Sequence, residues 1–261
     1  MSLVLTYASR RRVIRVGRFA GQYAKPRSAN WETQDGVQLH SFRGNLINCR
    51  EFTREARTPN PLYLLRGYER AALTLNFIRG LIDGGFADMR HPEFWNVDFV
   101  NHSAQSVEFR QLMGALSESV TFLETMAGRP LGEFDRVEFF TSHEGLHLDY
   151  EQAQTRRVPR RSGWYNLTTH MPWIGDRTRD LDGAHVEYFR GISNPIGVKV
   201  GPRCTPEELV ELTQVLNPDN EPGRLTVIHR FGAGLVEQYL PPLVEAVQRA
   251  GSQVVWCCDP M

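Results

Sequence analysis

The sequence predicts an α/β fold built on parallel strands, and two observations carry that prediction. Short β-branched runs alternate with stretches whose apolar residues fall at helical spacing. A strand, a loop and a helix also recur within about 30 residues, the length of a βαβ unit. Strand runs lie at Val13-Ile14-Arg15-Val16, Val137-Glu138-Phe139-Phe140, Ile196-Gly197-Val198-Lys199-Val200, Leu225-Thr226-Val227-Ile228 and Val254-Val255-Trp256, with a further one from Met171 to Ile174.

Between the strands, Leu62, Leu65, Ala72, Leu75, Ile78 and Ile82 follow one another at steps of three, four or seven, which places them on one helix face. The best-defined helix start is Thr205-Pro206-Glu207-Glu208: a capping threonine, a proline at the first helical position and a glutamate three residues after the cap. Leu209, Leu212 and Leu216 supply its buried stripe, and Asn217-Pro218 ends it. The next unit runs from Leu225 through Arg230-Phe231-Gly232 into a helix near Leu235 to Ala250. Strands this short, alternating with helices, fit either a doubly wound sheet or a TIM-type barrel, and periodicity does not choose between them.

Composition narrows the function classes. The chain has 261 residues, enough to bury a core without disulfide or metal staples. Thirty basic side chains balance thirty acidic ones, so no global field favours nucleic acid or an anionic membrane. Cys49, Cys204, Cys257 and Cys258 show no zinc-type spacing and read as reduced thiols of a cytoplasmic protein. No apolar run approaches the roughly 18 residues of a membrane span, and the charges of the N-terminal stretch follow its apolar residues, the reverse of a secretory signal. The basic stretches at Arg10 to Arg12 and Arg156 to Ser162 read as solvated charge.

The chemistry-bearing residues gather where strand runs end. Arg18 follows the first run, Lys25 and Arg27 stand in the loop Ala24-Lys25-Pro26-Arg27-Ser28, His143 and Glu144 follow the second run, and Arg177 follows Trp173-Ile174-Gly175-Asp176. Lys199 sits inside an apolar run and Arg230 closes another. A lysine flanked by Gly197, Val198, Val200 and Gly201 is expensive to bury as an unpaired cation, so it calls for an anion or a reaction. Guanidinium forks suit carboxylate and phosphate oxygens. Convergent cations in a chain of zero net charge imply a small polyanionic ligand. The bland alternative for each is an ion pair with a neighbouring Asp or Glu. His143-Glu144-Gly145-Leu146-His147 also matches H-E-x-x-H, which on a helix would make a zinc metallohydrolase; against it stand its start at a strand end, the helix-weakening Gly145 and the missing downstream G-x-x-H.

Several blocks resemble, in order, the signatures of class II 3-deoxy-D-arabino-heptulosonate-7-phosphate (DAHP) synthases. They are Gly17-Arg18-Phe19-Ala20-Gly21-Gln22-Tyr23-Ala24-Lys25-Pro26-Arg27-Ser28, Ser142-His143-Glu144, Trp173 to Arg179, Leu181 to His185, Asn194 to Pro202 and Cys258-Asp259-Pro260-Met261. The resemblance covers essentially the whole chain. It implies a (β/α)8 TIM-type barrel of which about six βα units are present, a single incomplete domain over 1–261 that lacks both ends, with Met1 to Tyr7 as the helix between the first two strands. It also implies condensation of phosphoenolpyruvate with erythrose 4-phosphate to DAHP and phosphate, the first step of the shikimate pathway.

By the same resemblance, Arg18, Lys199 and Arg230 embrace the phosphoenolpyruvate carboxylate, Arg177 and Lys199 hold its phosphate, and Asp176 and Trp173 line that pocket. Lys25, Arg27 and Ser28 receive erythrose 4-phosphate, and the catalytic pair is Lys199 and Glu144. The family's divalent metal, such as Mn²⁺ or Co²⁺, would be held by residues outside this chain, so the resemblance implies no metal ligand within it and an inactive isolated chain. A cytoplasmic homo-oligomer is expected of the complete enzyme. A noncatalytic phosphoenolpyruvate-binding homologue is the remaining alternative.

Overall fold

A computed structural model describes residues 2–19, 21–86, 88, 102–129 and 137–260; Met1, Ala20 and Met261, which belong to the blocks quoted above, lie outside the described residues. In chain order the first elements are α1 (Ser2–Ser9), β1 (Val16–Gly17), β2 (Trp31–Gln34), β3 (Val37–His40), α2 (Arg54–Arg57), α3 (Leu62–Asp83) and α4 (Ser106–Ala127). They are followed by β4 (Phe140–Glu144), α5 (Leu148–Gln152), β5 (Thr155–Arg156), β6 (Tyr165–Asn166), β7 (Met171–Ile174), α6 (Ala184–Arg190), β8 (Ile196–Val200), α7 (Pro206–Leu216), β9 (Leu225–His229), α8 (Val236–Arg249) and β10 (Val255–Cys258). No helix among the described residues is long and apolar enough to cross a membrane.

Contacts divide the chain into two units, 1–15 with 72–139 and 16–71 with 140–261. The first holds α1, the second half of α3, and α4, which buries Val120 and ends on Gly128 in the left-handed conformation. The exposed Arg12–Glu138 ion pair belongs to this unit.

The second unit is built on one six-stranded sheet in the order β1-β4-β7-β8-β9-β10, parallel throughout. The predicted runs at β7, β8 and β9 match the observed strands, with one residue added to β9. The first two runs are displaced. Pairing starts at Val16 opposite Phe140, so β1 takes only the end of Val13 to Val16, and β4 begins where the run Val137 to Phe140 stops. Partner register overrode local β-propensity here. His143 and Glu144, expected in the following loop, are therefore the last two residues of β4.

Alternation along the strands gives the sheet two different faces. Ile174, Ile196, Val198, Val200, Leu225 and Val227 point to one side and pack in a single core with Leu209, Leu212 and Leu216 of α7, Phe189 of α6 and Leu243 and Val247 of α8. Each fully buried aliphatic side chain contributes about 1.5–3 kcal/mol of transfer free energy. Helix α7 forms as its sequence dictates: the Thr205 hydroxyl accepts the Glu208 N–H at 3.1 Å, and Pro206 opens the first turn. The opposite face carries Glu144, Trp173, Lys199, Thr226 and Ile228, with Glu144 opposite Trp173, Trp173 opposite Gly197 and Lys199 opposite Ile228.

Candidate active site at the carboxyl ends of the strands

Parallel strands end together, so residues at their last positions converge on one rim, the usual place for ligands in α/β folds. Arg18 directly follows β1, Glu144 ends β4, Asp176 and Arg177 follow β7, Lys199 is the penultimate residue of β8, Arg230 directly follows β9 and Asp259 directly follows β10. The Arg230 N–H donates to Val200 O at 2.9 Å and the Asp259 N–H to His229 O at 2.9 Å, which draws these ends together.

Trp173 is the platform. It is buried, with the Arg18 guanidinium 5.1 Å and the Lys199 ammonium 4.7 Å from its ring centroid, so two cations share one indole. Gly197 makes room for it, since a Cβ there would lie 2.8 Å from Trp173 Cβ. The expectation that Lys199 needs an anion is met within the chain, because its Nζ lies 2.5 Å from Asp259 Oδ2.

Glu144 is buried among these cations. Burial pushes its carboxyl above its ordinary value, against the opposing pull of Arg18, Lys199 and Arg177. Such a group is poised to carry a proton nearer neutrality than an exposed carboxylate. Its oxygen lies over Gly175, where a Cβ would stand 2.1 Å from Glu144 Oε1.

Asp176 turns its carboxylate onto protein donors: Oδ1 accepts from Arg179 Nε at 3.2 Å and from the Gly201 N–H at 3.1 Å, and Oδ2 from Arg203 Nη2 at 3.2 Å. It thereby ties the β7 turn to the β8 turn, and Arg179 in turn pairs with Glu208 of α7. Arg177 is exposed and reaches the loop before β2, donating to Pro26 O at 3.3 Å. Lys25 and Arg27 flank that proline, each 6.0 Å from the Phe42 ring, and Arg27 Nε donates to Phe42 O at 2.6 Å. Ser28 stands exposed at the end of the same loop. The structure thus groups Arg18, Glu144, Trp173, Arg177 and Lys199, sets Lys25 and Arg27 beside them through Arg177, and places Arg230 at the rim.

Sequence reasoning missed a second polar cluster on the other face of β4. Glu151, in α5, is fully buried; its Oε1 accepts from Gln22 Nε2 at 2.5 Å and lies 2.7 Å from His143 Nε2, and its Oε2 accepts from Thr168 Oγ1 at 2.8 Å and from Asn166 Nδ2. Burial works to raise this carboxyl, but the His143 hydrogen bond and charge, with the Asn166 and Gln22 amides, outweigh it and hold the group below its ordinary value. The antiparallel hairpin β2–β3 was also missed, although Asp35-Gly36, with φ of 49° and 76°, is a standard hairpin-turn signal.

The zinc motif fails on geometry. His143 and Glu144 are consecutive strand residues facing opposite ways, and His147 only precedes the short α5, so no helix face brings the two imidazoles together. His143 is spent on Glu151. Among the described residues no group of three or more His, Cys, Asp or Glu side chains could hold a metal ion.

The sequence profile described as the class-II DAHP synthetase family matches residues 1–261. The chain belongs to this family. Among curated proteins, this class-II DAHP synthetase family member is 47% identical over 261 residues to a phospho-2-dehydro-3-deoxyheptonate aldolase of Streptomyces coelicolor, with all of the chain matched to 58% of that protein. It is 42% identical over 277 residues to the protein of that name from Neurospora crassa, again with all of the chain matched, to 57% of the relative. With the one from Mycolicibacterium smegmatis it shares 42% identity over 268 residues and spans 56% of its length. The chain therefore spans a little over half the length of the curated relatives it matches.

Proposed function

We propose that the chain forms the phosphoenolpyruvate-binding part of a 3-deoxy-7-phosphoheptulonate synthase, which condenses phosphoenolpyruvate with erythrose 4-phosphate. The observation that carries the proposal is the pair of cations, Arg18 and Lys199, over Trp173 beside the buried Glu144. Family membership and the names of the relatives support it. The sheet is read as part of a TIM-type (β/α)8 barrel, with 1–261 as one incomplete domain of that fold, and the complete protein as a homo-oligomer.

In this reading Arg18, Lys199 and Arg230 bind the phosphoenolpyruvate carboxylate, and Arg177 with Lys199 binds the phosphate. Trp173 supports the enol face, and Asp176 fixes the turn that carries Arg177. Lys25, Arg27 and Ser28 take the phosphate end of erythrose 4-phosphate. The enol carbon C3 attacks the aldehyde, water adds to C2, and phosphate leaves by C–O cleavage. Glu144 orients that water, and Lys199 neutralises the substrate and moves a proton. A divalent metal such as Mn²⁺ or Co²⁺ belongs to the reading of the complete protein. The described residues do not make a site for it.

Calorimetric titration of the chain with phosphoenolpyruvate tests this reading. Saturable one-to-one binding is expected, weakened by Lys199→Met by roughly ten- to a hundredfold, the equivalent of about 1.5–3 kcal/mol for a charged hydrogen bond. Absence of saturable binding to the unaltered chain, or equal binding by Lys199→Met, would overturn it.

A further inference from the structure

Behind β4, on the side away from Trp173, the Glu151 carboxylate has its two oxygens fully engaged by His143, Gln22, Asn166 and Thr168. A carboxylate is the side chain suited to this place, because it accepts from every direction and donates nothing. Gln22 completes a clamp. While its Nε2 donates to Glu151, its Oε1 accepts the His147 N–H at 2.7 Å, and Nε2 also reaches His147 O at 3.3 Å. The preceding Gly21 lies directly against the imidazole of His143, where a Cβ would meet Nδ1 at 2.0 Å. Gly21 and Gln22 stand midway between Arg18 and Lys25, the cations assigned to the two substrates.

We infer that Glu151, acting through Gln22 and His143, is a positioning residue that pins Gly21-Gln22 to β4 and thereby sets where Arg18 and Lys25 stand for the anionic substrates. The inference rests on the proposed function for the identity of those substrates. A buried carboxylate is not the usual way to stabilise a core, since apolar side chains of the same volume often fill such a space as well or better. None of the four donors faces the Trp173 side as a ligand group. Their effect on substrate passes through the backbone that joins Gln22 to Arg18 on one side and Lys25 on the other. The strand joins the two sides, because His143 in the clamp is followed directly by Glu144 in the site.

The test compares Gln22→Met, which cuts the tie to the loop but leaves the His143–Glu151 pair in place, with Glu151→Gln. Hydrogen–deuterium exchange is followed by peptide, and binding of phosphoenolpyruvate and of erythrose 4-phosphate by calorimetry. In both variants exchange is expected to accelerate over 17–28 while β8 and β9 keep their protection, and affinity is expected to fall on the order of tenfold or more, as small displacements of binding groups do. Unchanged exchange over 17–28 in Gln22→Met would overturn the inference. So would protection lost evenly across β4, β7, β8 and β9, which marks a merely structural role, or a released loop that binds as well as before. If the unaltered chain binds neither compound, the substrate reading fails, and the exchange pattern still decides whether the clamp holds the loop.

Discussion

Gly175→Ala is the sharpest probe of Glu144, because it adds one methyl group where the structure leaves none to spare. The new Cβ would lie 2.1 Å from Glu144 Oε1, 3.1 Å from its Cδ and 3.5 Å from Thr178 Oγ1. Ordinary contact begins near 3.4 Å, so the carboxylate must retreat by about 1.3 Å. Gly175 has no positive φ, and the backbone accepts alanine without strain. The whole perturbation therefore falls on Glu144, a buried side chain beside Trp173. Overpacking of this kind costs about 1–3 kcal/mol, and a displacement of about 1 Å in a catalytic group reduces turnover on the order of a hundredfold. Urea unfolding followed by tryptophan fluorescence reads the first effect. Turnover in a full-length relative carrying the matching substitution reads the second. A variant as stable as the parent, with undiminished turnover, would refute the placement of Glu144 against Gly175.

Because folding raises the Glu144 carboxyl, its cost is absent at pH below the unfolded value and grows as pH rises toward the folded one; Glu144→Gln should gain stability relative to the parent as pH rises above the unfolded carboxyl value, measured by urea midpoints. Glu151 has the opposite sign: its stabilisation is present above the unfolded value and lost as pH falls through the folded one, so the deficit of Glu151→Gln should shrink in acid. Arg57→Ala removes a buried guanidinium that donates to Glu32 Oε2 at 2.7 Å and to the carbonyls of His40, Arg50 and Glu51, and should cost about 3 kcal/mol in the same unfolding assay. Thr205→Ala deletes the cap of α7 and should cost about 1 kcal/mol.

What the sequence disclosed depended on how local the information was. Helix α7 was legible to the residue because cap, proline, leucine stripe and terminator all lie within one short segment. Strands β8 and β9 were legible because both are buried and rich in branched residues. The limits of β1 and β4 were not, since two short strands take their ends from each other rather than from propensity. At the site, most of the cations drew notice at the ends of strand runs and Lys199 inside an apolar one, while Trp173 and Asp176 came through the resemblance. The Lys199–Asp259 pair, 60 residues apart, needed the folded chain to be seen. So did the Glu151 cluster, which draws on Gln22, His143 and the neighbouring Asn166 and Thr168 from three separate segments, each an ordinary polar residue in its own surroundings.

The sequence His143-Glu144 also locks the alignment of β4. A strand that slips by one residue exchanges its faces. A slip in one direction would carry Glu144 toward Glu151, setting two carboxylates together where one imidazole now stands; a slip in the other would present the His143 imidazole to Arg18 and Lys199 in place of the carboxylate they surround. Each is electrostatically unfavourable, so each face opposes one of the two slips. Charge sign, written in two adjacent letters, fixes the alignment of a strand whose hydrophobic pattern alone leaves it loosely specified.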